Sequence, residues 1–226
     1  MKKIVSMIVL LALALPALVA QEPEEEPSNE QQKRNPDEVQ TLFDPHSGSG
    51  GYGALTIGYT KINSRDAILI GGRGAWVIGH GIGLGIGGYG FMNDPINYPA
   101  DPLTYTLAGG YGGLIMEPIL FGWFPVHLSF PILIGGGGVA SVSYNSDWPD
   151  DFNYEEGYVE DASAFFVAEA SMELEFNLVR FMRLAVFGSY RYTSDIIMEN
   201  TSPGAAISPD AIRGWSTGMT IKFGSF

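Results

Sequence analysis

A chain of 226 residues has room for one domain of ordinary size, and a formal charge of -13 argues against a nucleic-acid partner, which requires clustered Lys and Arg to displace counterions. The sequence contains no cysteine, so it has no disulfide staple and no thiol chemistry, and a lipid-anchored start on a cysteine is excluded.

Residues 1–20 read as a secretory signal peptide: Lys2 and Lys3 form the charged start, residues 4–15 the apolar run, and Ala20 closes a small-residue cleavage site before Gln21, with Leu18 an imperfect match. The apolar run is shorter than the roughly 20 residues of a transmembrane helix, and a retained anchor is the alternative. Removing Lys2 and Lys3 takes the charge from -13 to -15. Residues 21–47 change abruptly to Glu, Gln, Pro, Asn and Asp, with Glu24, Glu25 and Glu26 in a row, which predicts an acidic disordered periplasmic tether.

From residue 48 the chain is glycine-rich and alternates with period two, with no competing helical periodicity. Residues 51–62 set Leu55, Ile57 and Tyr59 against Thr56, Gly58 and Thr60, and Asn63, Ser64, Arg65 and Asp66 make a turn. Residues 67–78 set Ile68, Ile70, Trp76 and Ile78 against Arg73, and Gly79-His80-Gly81 turns into a third strand with Ile82, Leu84 and Ile86 on its apolar face. A fourth, 103–116, alternates Leu103, Tyr105, Leu107 and Tyr111 with Thr104, Thr106, Ala108 and Gly110. A fifth alternates Val126, Leu128, Phe130, Ile132 and Ile134 with His127 and Ser129, and can continue to Tyr144. The sixth opposes Phe166, Ala168, Met172 and Leu174 to Glu169, Ser171, Glu173 and Glu175; the seventh opposes Leu184, Val186, Tyr190 and Tyr192 to Arg183, Ser189 and Arg191. The eighth runs from Ile212 to Phe226. After the second strand the connections alternate between short (79–81, 121–125, 177–181) and long (93–102, 145–163, 194–210), as periplasmic turns and external loops of transmembrane barrels do.

Alternation alone also fits a soluble lipocalin-like carrier with its apolar face inward. Between residues 67 and 145, however, the only Asp, Glu, Lys or Arg residues are Arg73, Asp94, Asp101 and Glu117, whereas a solvent-exposed face usually carries many charges. The pattern therefore predicts an all-β fold, a transmembrane antiparallel up-and-down β-barrel of about eight strands over residues 48–226, located in the cell outer membrane. Tyr52, Tyr59, Trp76, Tyr105, Tyr111, Tyr192, Trp215 and Phe223 are expected in interfacial aromatic belts. Reflection about a turn near Val179 puts Glu175 opposite Arg183 and Glu169 diagonal to Arg191; with Arg73 and Glu173, these form an expected barrel-interior charge network.

In strand number, loop alternation and terminal aromatic, residues 51–226 resemble the small eight-stranded outer-membrane barrels of the OmpA/OmpX type. Gly71-Gly72-Arg73-Gly74-Ala75-Trp76 and Gly87-Gly88-Tyr89-Gly90 also look like segments of an uncharacterised outer-membrane barrel family. The resemblance implies outer-membrane lipids and lipopolysaccharide as surroundings, and Phe226 as a signal for the outer-membrane assembly machinery. In one departure from that pattern, Trp215, Met219, Ile221 and Phe223 share one parity while Lys222 and Gly224 share that of Phe226.

Gly85-Ile86-Gly87-Gly88-Tyr89-Gly90 matches the dinucleotide fingerprint, but no helix follows to receive a pyrophosphate, and the glycines read as reduced bulk on a barrel face; no cofactor is expected. His46, His80 and His127 have no zinc-site spacing, and no metal centre is expected. His127 and Ser129 share a strand face, which raises a barrel-embedded lipid A or phospholipid acyl hydrolase as the enzyme alternative, although no fitting acid is identified. Residues 146–161 combine Asp147, Asp150, Asp151, Glu155, Glu156, Glu160 and Asp161 with Trp148, Phe152, Tyr154 and Tyr158: an acidic loop suited to cation binding or to surface contact, although its spacing fits no EF-hand. The expected function is a non-enzymatic integral outer-membrane barrel with surface loops in structural or surface-interaction roles.

Overall fold

The structure is a computed structural model and describes residues 49–79, 81–97, 103–145, 158–198 and 207–226. The expected signal peptide and tether, His46, His80, and Asp147, Asp150, Asp151, Glu155 and Glu156 lie outside the described residues.

Among the described residues there are ten strands: β1 (Ser49–Ile62), β2 (Arg65–Ile78), β3 (Ile82–Asn93), β4 (Ile96–Asn97), β5 (Leu103–Leu120), β6 (Val126–Ser129), β7 (Ile132–Asn145), β8 (Tyr158–Val179), β9 (Met182–Thr193) and β10 (Gly214–Ser225). They make eight staves, since β4 prolongs the β3 side of β5, and β6 and β7 are one stave interrupted at Phe130-Pro131. Pro131 has no N–H for the ladder, yet Phe130 N donates to Pro118 O (2.9 Å) and Ser171 N to Pro131 O (2.8 Å), so pairing carries across the break. All pairs are antiparallel, and β10 returns to β1 with Leu55 opposite Ile221, closing the sheet. Closure removes the open edge that lipid could not satisfy.

The β1–β2 hairpin turns on two residues, Asn63 and Ser64, at φ 50° and 63°, the backbone of a type I′ turn whose twist suits a hairpin. Arg65 and Asp66, expected in that turn, instead open β2 opposite Ile62 and Lys61.

The faces separate by chemistry. Leu55 (69% exposed), Ile86, Leu114 and Trp215 point outward, while Thr56, Arg73, Glu173 and Lys222 are buried inside. An apolar exterior around a charged interior is a lipid-facing wall, and it contradicts the lipocalin-like alternative, which needs the reverse.

Three expectations need correction. Tyr52, Tyr105 and Tyr111 lie in the interior rather than in the belts, whereas Tyr59, Trp76, Tyr192, Trp215 and Phe223 are outward and exposed. The interior rings fit because lumen-facing glycines make room: a Cβ at Gly137 would sit 2.7 Å from the Phe165 ring, and one at Gly109 2.7 Å from that of Phe91. The β8–β9 register is shifted by two from the reflected one, because the turn lies at residues 180–181, with Val179 opposite Met182, and a one-residue bulge between Asn177 and Val179 offsets only part of that shift; Glu175 faces Ala185, and Glu169 faces Arg191 directly. Finally, β8 begins at Tyr158 because its pairing with β7 continues past a bulge at Ser141/Val142, so Glu160 and Asp161 are strand residues and not part of a loop.

Candidate functional site

Alternation points one residue in two of every stave into a narrow lumen. Toward the end bearing the β2–β3, β5–β6 and β8–β9 turns, this brings Glu117 of β5, Glu173 and Glu175 of β8, Arg73 of β2, Arg183 of β9 and Lys222 of β10 into one buried cluster. Lys222 is its hub: Nζ lies 2.5 Å from Glu117 Oε1, 2.5 Å from Glu175 Oε1 and 2.9 Å from Glu173 Oε2. Arg73 Nη2 donates to Glu173 Oε2 at 2.6 Å and Nε to the Tyr52 hydroxyl at 3.2 Å; Tyr52 donates in turn to Glu117. Arg183 Nη1 sits 3.4 Å from Glu175 Oε2, and its guanidinium stacks 3.8 Å over the Phe226 ring.

A second cluster lies toward the outer loops. Glu169 accepts hydrogen bonds from Tyr111 (2.6 Å) and Ser189 (2.5 Å), and Arg191 donates to the Tyr111 hydroxyl (3.1 Å), Thr60 Oγ1 (3.3 Å) and the Ile212 carbonyl (2.9 Å). Glu169 and Arg191 are thus joined through Tyr111, not as a direct ion pair. Among the described residues the buried interior holds four carboxylates, Glu117, Glu169, Glu173 and Glu175, against four cations, Arg73, Arg183, Arg191 and Lys222. The formal charges cancel, which is how buried ions avoid an uncompensated desolvation penalty.

Both ends of the lumen are stoppered. On the outer side, Ile62, Leu107, Val167, Ile196 and Ile212 form an apolar plug, with loop contacts from Asn63 N to Ala211 O (2.7 Å) and Ile196 N to Pro209 O (3.0 Å). Beside that plug the exposed Asp210 carboxyl is held below its ordinary range, chiefly by the Ser208 hydroxyl. On the inner side Phe226 closes over Arg183 and stacks on Tyr52 at 5.7 Å. A cavity of about 10 Å³ between the clusters, lined by Thr56, Tyr89, Glu169, Ser171 and Glu173, has room for about one water.

The hydrolase arrangement is not formed. Ser129 Oγ donates to Glu175 Oε1 (2.5 Å), and His127 Nε2 faces the same carboxylate (3.0 Å), so both side chains converge on one acid instead of making a serine–histidine–acid relay. Both are buried under the barrel wall. Glu117, Glu173 and Glu175 have the mutual spacing of a cation site, but the Lys222 ammonium fills its centre. Of the acidic segment, Glu160 accepts from Ser143 Oγ (2.5 Å), and Asp161 accepts from the Ala162 N–H (2.7 Å).

Sequence reasoning missed Glu117 and Lys222 as members of the cluster. The signal was present: a lone charge on an otherwise uncharged strand marks the inward parity, and Glu117 shares it with Tyr105 and Tyr111, as Lys222 shares it with Phe226.

No protein-family model and no curated protein matches the chain. Among solved structures it is similar to neisserial surface protein A, NspA, with 8% identity over 78% of this chain and 97% of that one, at a TM-score of 0.48. A major outer membrane protein from Thermus thermophilus shares 10% identity over 78% and 98%, also at 0.48. The N-terminal β-barrel domain of Pseudomonas aeruginosa OprF shares 11% over 78% and 96%, at 0.40. Independently of these likenesses, the closed ring of eight staves with an apolar wall is the architecture of a small outer-membrane barrel, and the wall places the protein in the outer membrane.

Proposed function

We propose that this protein is a non-catalytic integral outer-membrane barrel whose interior is a structural core and whose activity resides in the parts outside the membrane. The observation that carries this is the sealed, charge-neutral lumen: eight buried charges balance, six in one ion-pair cluster and Glu169 and Arg191 through the Tyr111 hydroxyl, and apolar or aromatic side chains cover both ends. Among the described residues such an interior offers no path to ions and no access to a substrate. In this proposal residues 1–20 direct export, residues 21–47 form a periplasmic tether, and Phe226 is read by the assembly machinery before it folds under the barrel. The outer loops, above all the acidic and aromatic segment 146–161, make structural or surface contacts with lipopolysaccharide, a partner or bridging cations, for which their carboxylates are suitable oxygen donors.

The test is conductance of the purified protein in a planar bilayer. Eight staves with a filled interior should give no porin-level current; a stable porin-level current would overturn the sealed core. Converting Asp147, Asp150, Asp151, Glu155 and Glu156 to their amides should leave boiling-dependent gel migration unchanged while altering attachment of cells to surfaces. Unchanged attachment would remove the acidic segment from the function.

A further inference from the structure

Residues 118–126, Pro-Ile-Leu-Phe-Gly-Trp-Phe-Pro-Val, carry no polar side-chain group but the Trp123 indole N–H, although they span the short turn between β5 and β6. A turn in water is ordinarily built from Gly, Asn, Asp, Ser and Pro, as Asn63 and Ser64 are in the first hairpin. Phe121, Trp123 and Phe124 are exposed, Trp123 to 72%, with ring centroids 5.9–6.2 Å apart. Leu120 and Val126, both outward, carry the lipid-facing wall into this turn without a break.

Most carbonyls of the turn have partners within the protein. Phe121 O accepts from Phe124 N (2.9 Å), Gly122 O from Arg183 Nη2 (3.4 Å), Phe124 O from Asn177 Nδ2 (2.8 Å), and Pro125 O from Asn177 N (2.8 Å). Four carbonyls of the turn are therefore taken by internal donors, two of them side chains reaching out from β8 and β9. Internal partners for carbonyls are what lipid favours and what a solvated turn has no need of. Phe121 is held at φ 59°, a conformation that bulky residues rarely adopt and that persists only where the surroundings over-determine it.

We propose that the β5–β6 turn is submerged in the periplasmic leaflet, anchoring this side of the barrel below the headgroup plane, with lipid and not water or a protein partner around Phe121, Trp123 and Phe124. The proposal rests on the membrane placement above and adds to it the depth of one turn.

Single-tryptophan proteins test both separately. Trp76, Trp123, Trp148 and Trp215 are the four tryptophans; two variants keep either Trp76, on the wall, or Trp123, with the others replaced by Phe. Each is reconstituted into phosphatidylcholine vesicles with acyl chains brominated near the carbonyl end, and folding is checked by boiling-dependent gel migration. The Trp76 protein should lose most of its emission to the bromines, which reports insertion of the barrel. The Trp123 protein should lose most of its emission as well and resist iodide present on both sides of the bilayer. Quenching of Trp123 by iodide with Trp76 still quenched by bromine overturns the submerged turn and leaves it in water as a protein-docking surface. Failure of bromine to quench either overturns the membrane placement itself. Because the chain has no cysteine, Trp123→Cys labelled with a polarity-sensitive dye supplies an independent readout, with a blue shift on insertion expected and none overturning the proposal.

Discussion

Replacing Lys222 with Met keeps most of the side-chain volume and removes the ammonium at which three carboxylates converge. The structure gives Lys222 three contacts of 2.5, 2.5 and 2.9 Å, each charge-assisted and buried. Hydrogen bonds to charged groups contribute about 1.5–3 kcal/mol each, but the network relaxes around Arg73 and Arg183, and removing one member of a buried ion group typically costs about 3–5 kcal/mol. At about 1.4 kcal/mol per tenfold change, a loss near 4 kcal/mol lowers the folded-to-unfolded ratio about a thousandfold. The assay is urea unfolding of protein refolded into detergent micelles or vesicles, followed by gel migration of unboiled samples. Adding Glu117→Gln to Lys222→Met removes one surplus anion and should recover part of the loss, with a coupling of about 1–3 kcal/mol. An unfolding curve for Lys222→Met that superposes on the parent's, or a Glu117→Gln change that deepens the loss, would refute the hub role of Lys222.

Phe226→Ala should destabilise the refolded barrel by about 1–2 kcal/mol, because the ring stacks on Arg183 and Tyr52; refolding without cellular machinery separates this effect from any role in assembly. Gly218→Ala should lower the urea midpoint clearly, since a Cβ there meets Ile57 O, Gly58 Cα and the Phe187 ring within 3 Å, whereas Gly90→Ala, with its nearest neighbours at 3.8 Å, should leave the midpoint within about 0.5 kcal/mol of the parent. Equal effects at both glycines would contradict the packing. Tyr111→Phe removes the hydroxyl that joins Glu169 to Arg191 and should cost about 1–3 kcal/mol in the same titration; no change would mean the two charges pair by another route.

Strand number was legible, and so was the lipid-facing parity where Leu55, Ile70, Ile86 and Val186 repeat with period two; on β5 it was not, since Tyr105, Leu107 and Tyr111, read as the apolar face, point inward and Leu114 and Met116 of the other parity face out. Register was not legible. The reflection that set Glu175 against Arg183 placed the turn at Val179, whereas Val179 pairs with Met182 around a turn at residues 180–181; a one-residue bulge at Asn177/Val179 takes back one residue and leaves every further pair displaced by two. Nor was the full interior legible from charge alone, since it also holds Phe91, Tyr111 and Phe165, aromatics that local pattern cannot tell from belt residues. What admits them is the bulk missing across the lumen at Gly109 and Gly137 on other staves, a long-range relation that no window of one strand contains.

Cancellation of the interior charges bears on where the acidity of the chain acts. Since four buried acids offset four buried bases, the entire formal excess of -13 belongs to the terminal segment, the turns, the loops and the strand ends that pass beyond the wall. Inside the barrel a mismatch of even one charge is costly, so composition there is tightly coupled: Lys222 of the last stave matches Glu117 of a stave on the far side of the ring. Outside, charges are screened within about 8–10 Å at ordinary salt and tolerate substitution. The two populations of carboxylates should therefore separate by experiment, interior ones answering in stability and exterior ones in salt-dependent contact with whatever meets the cell surface.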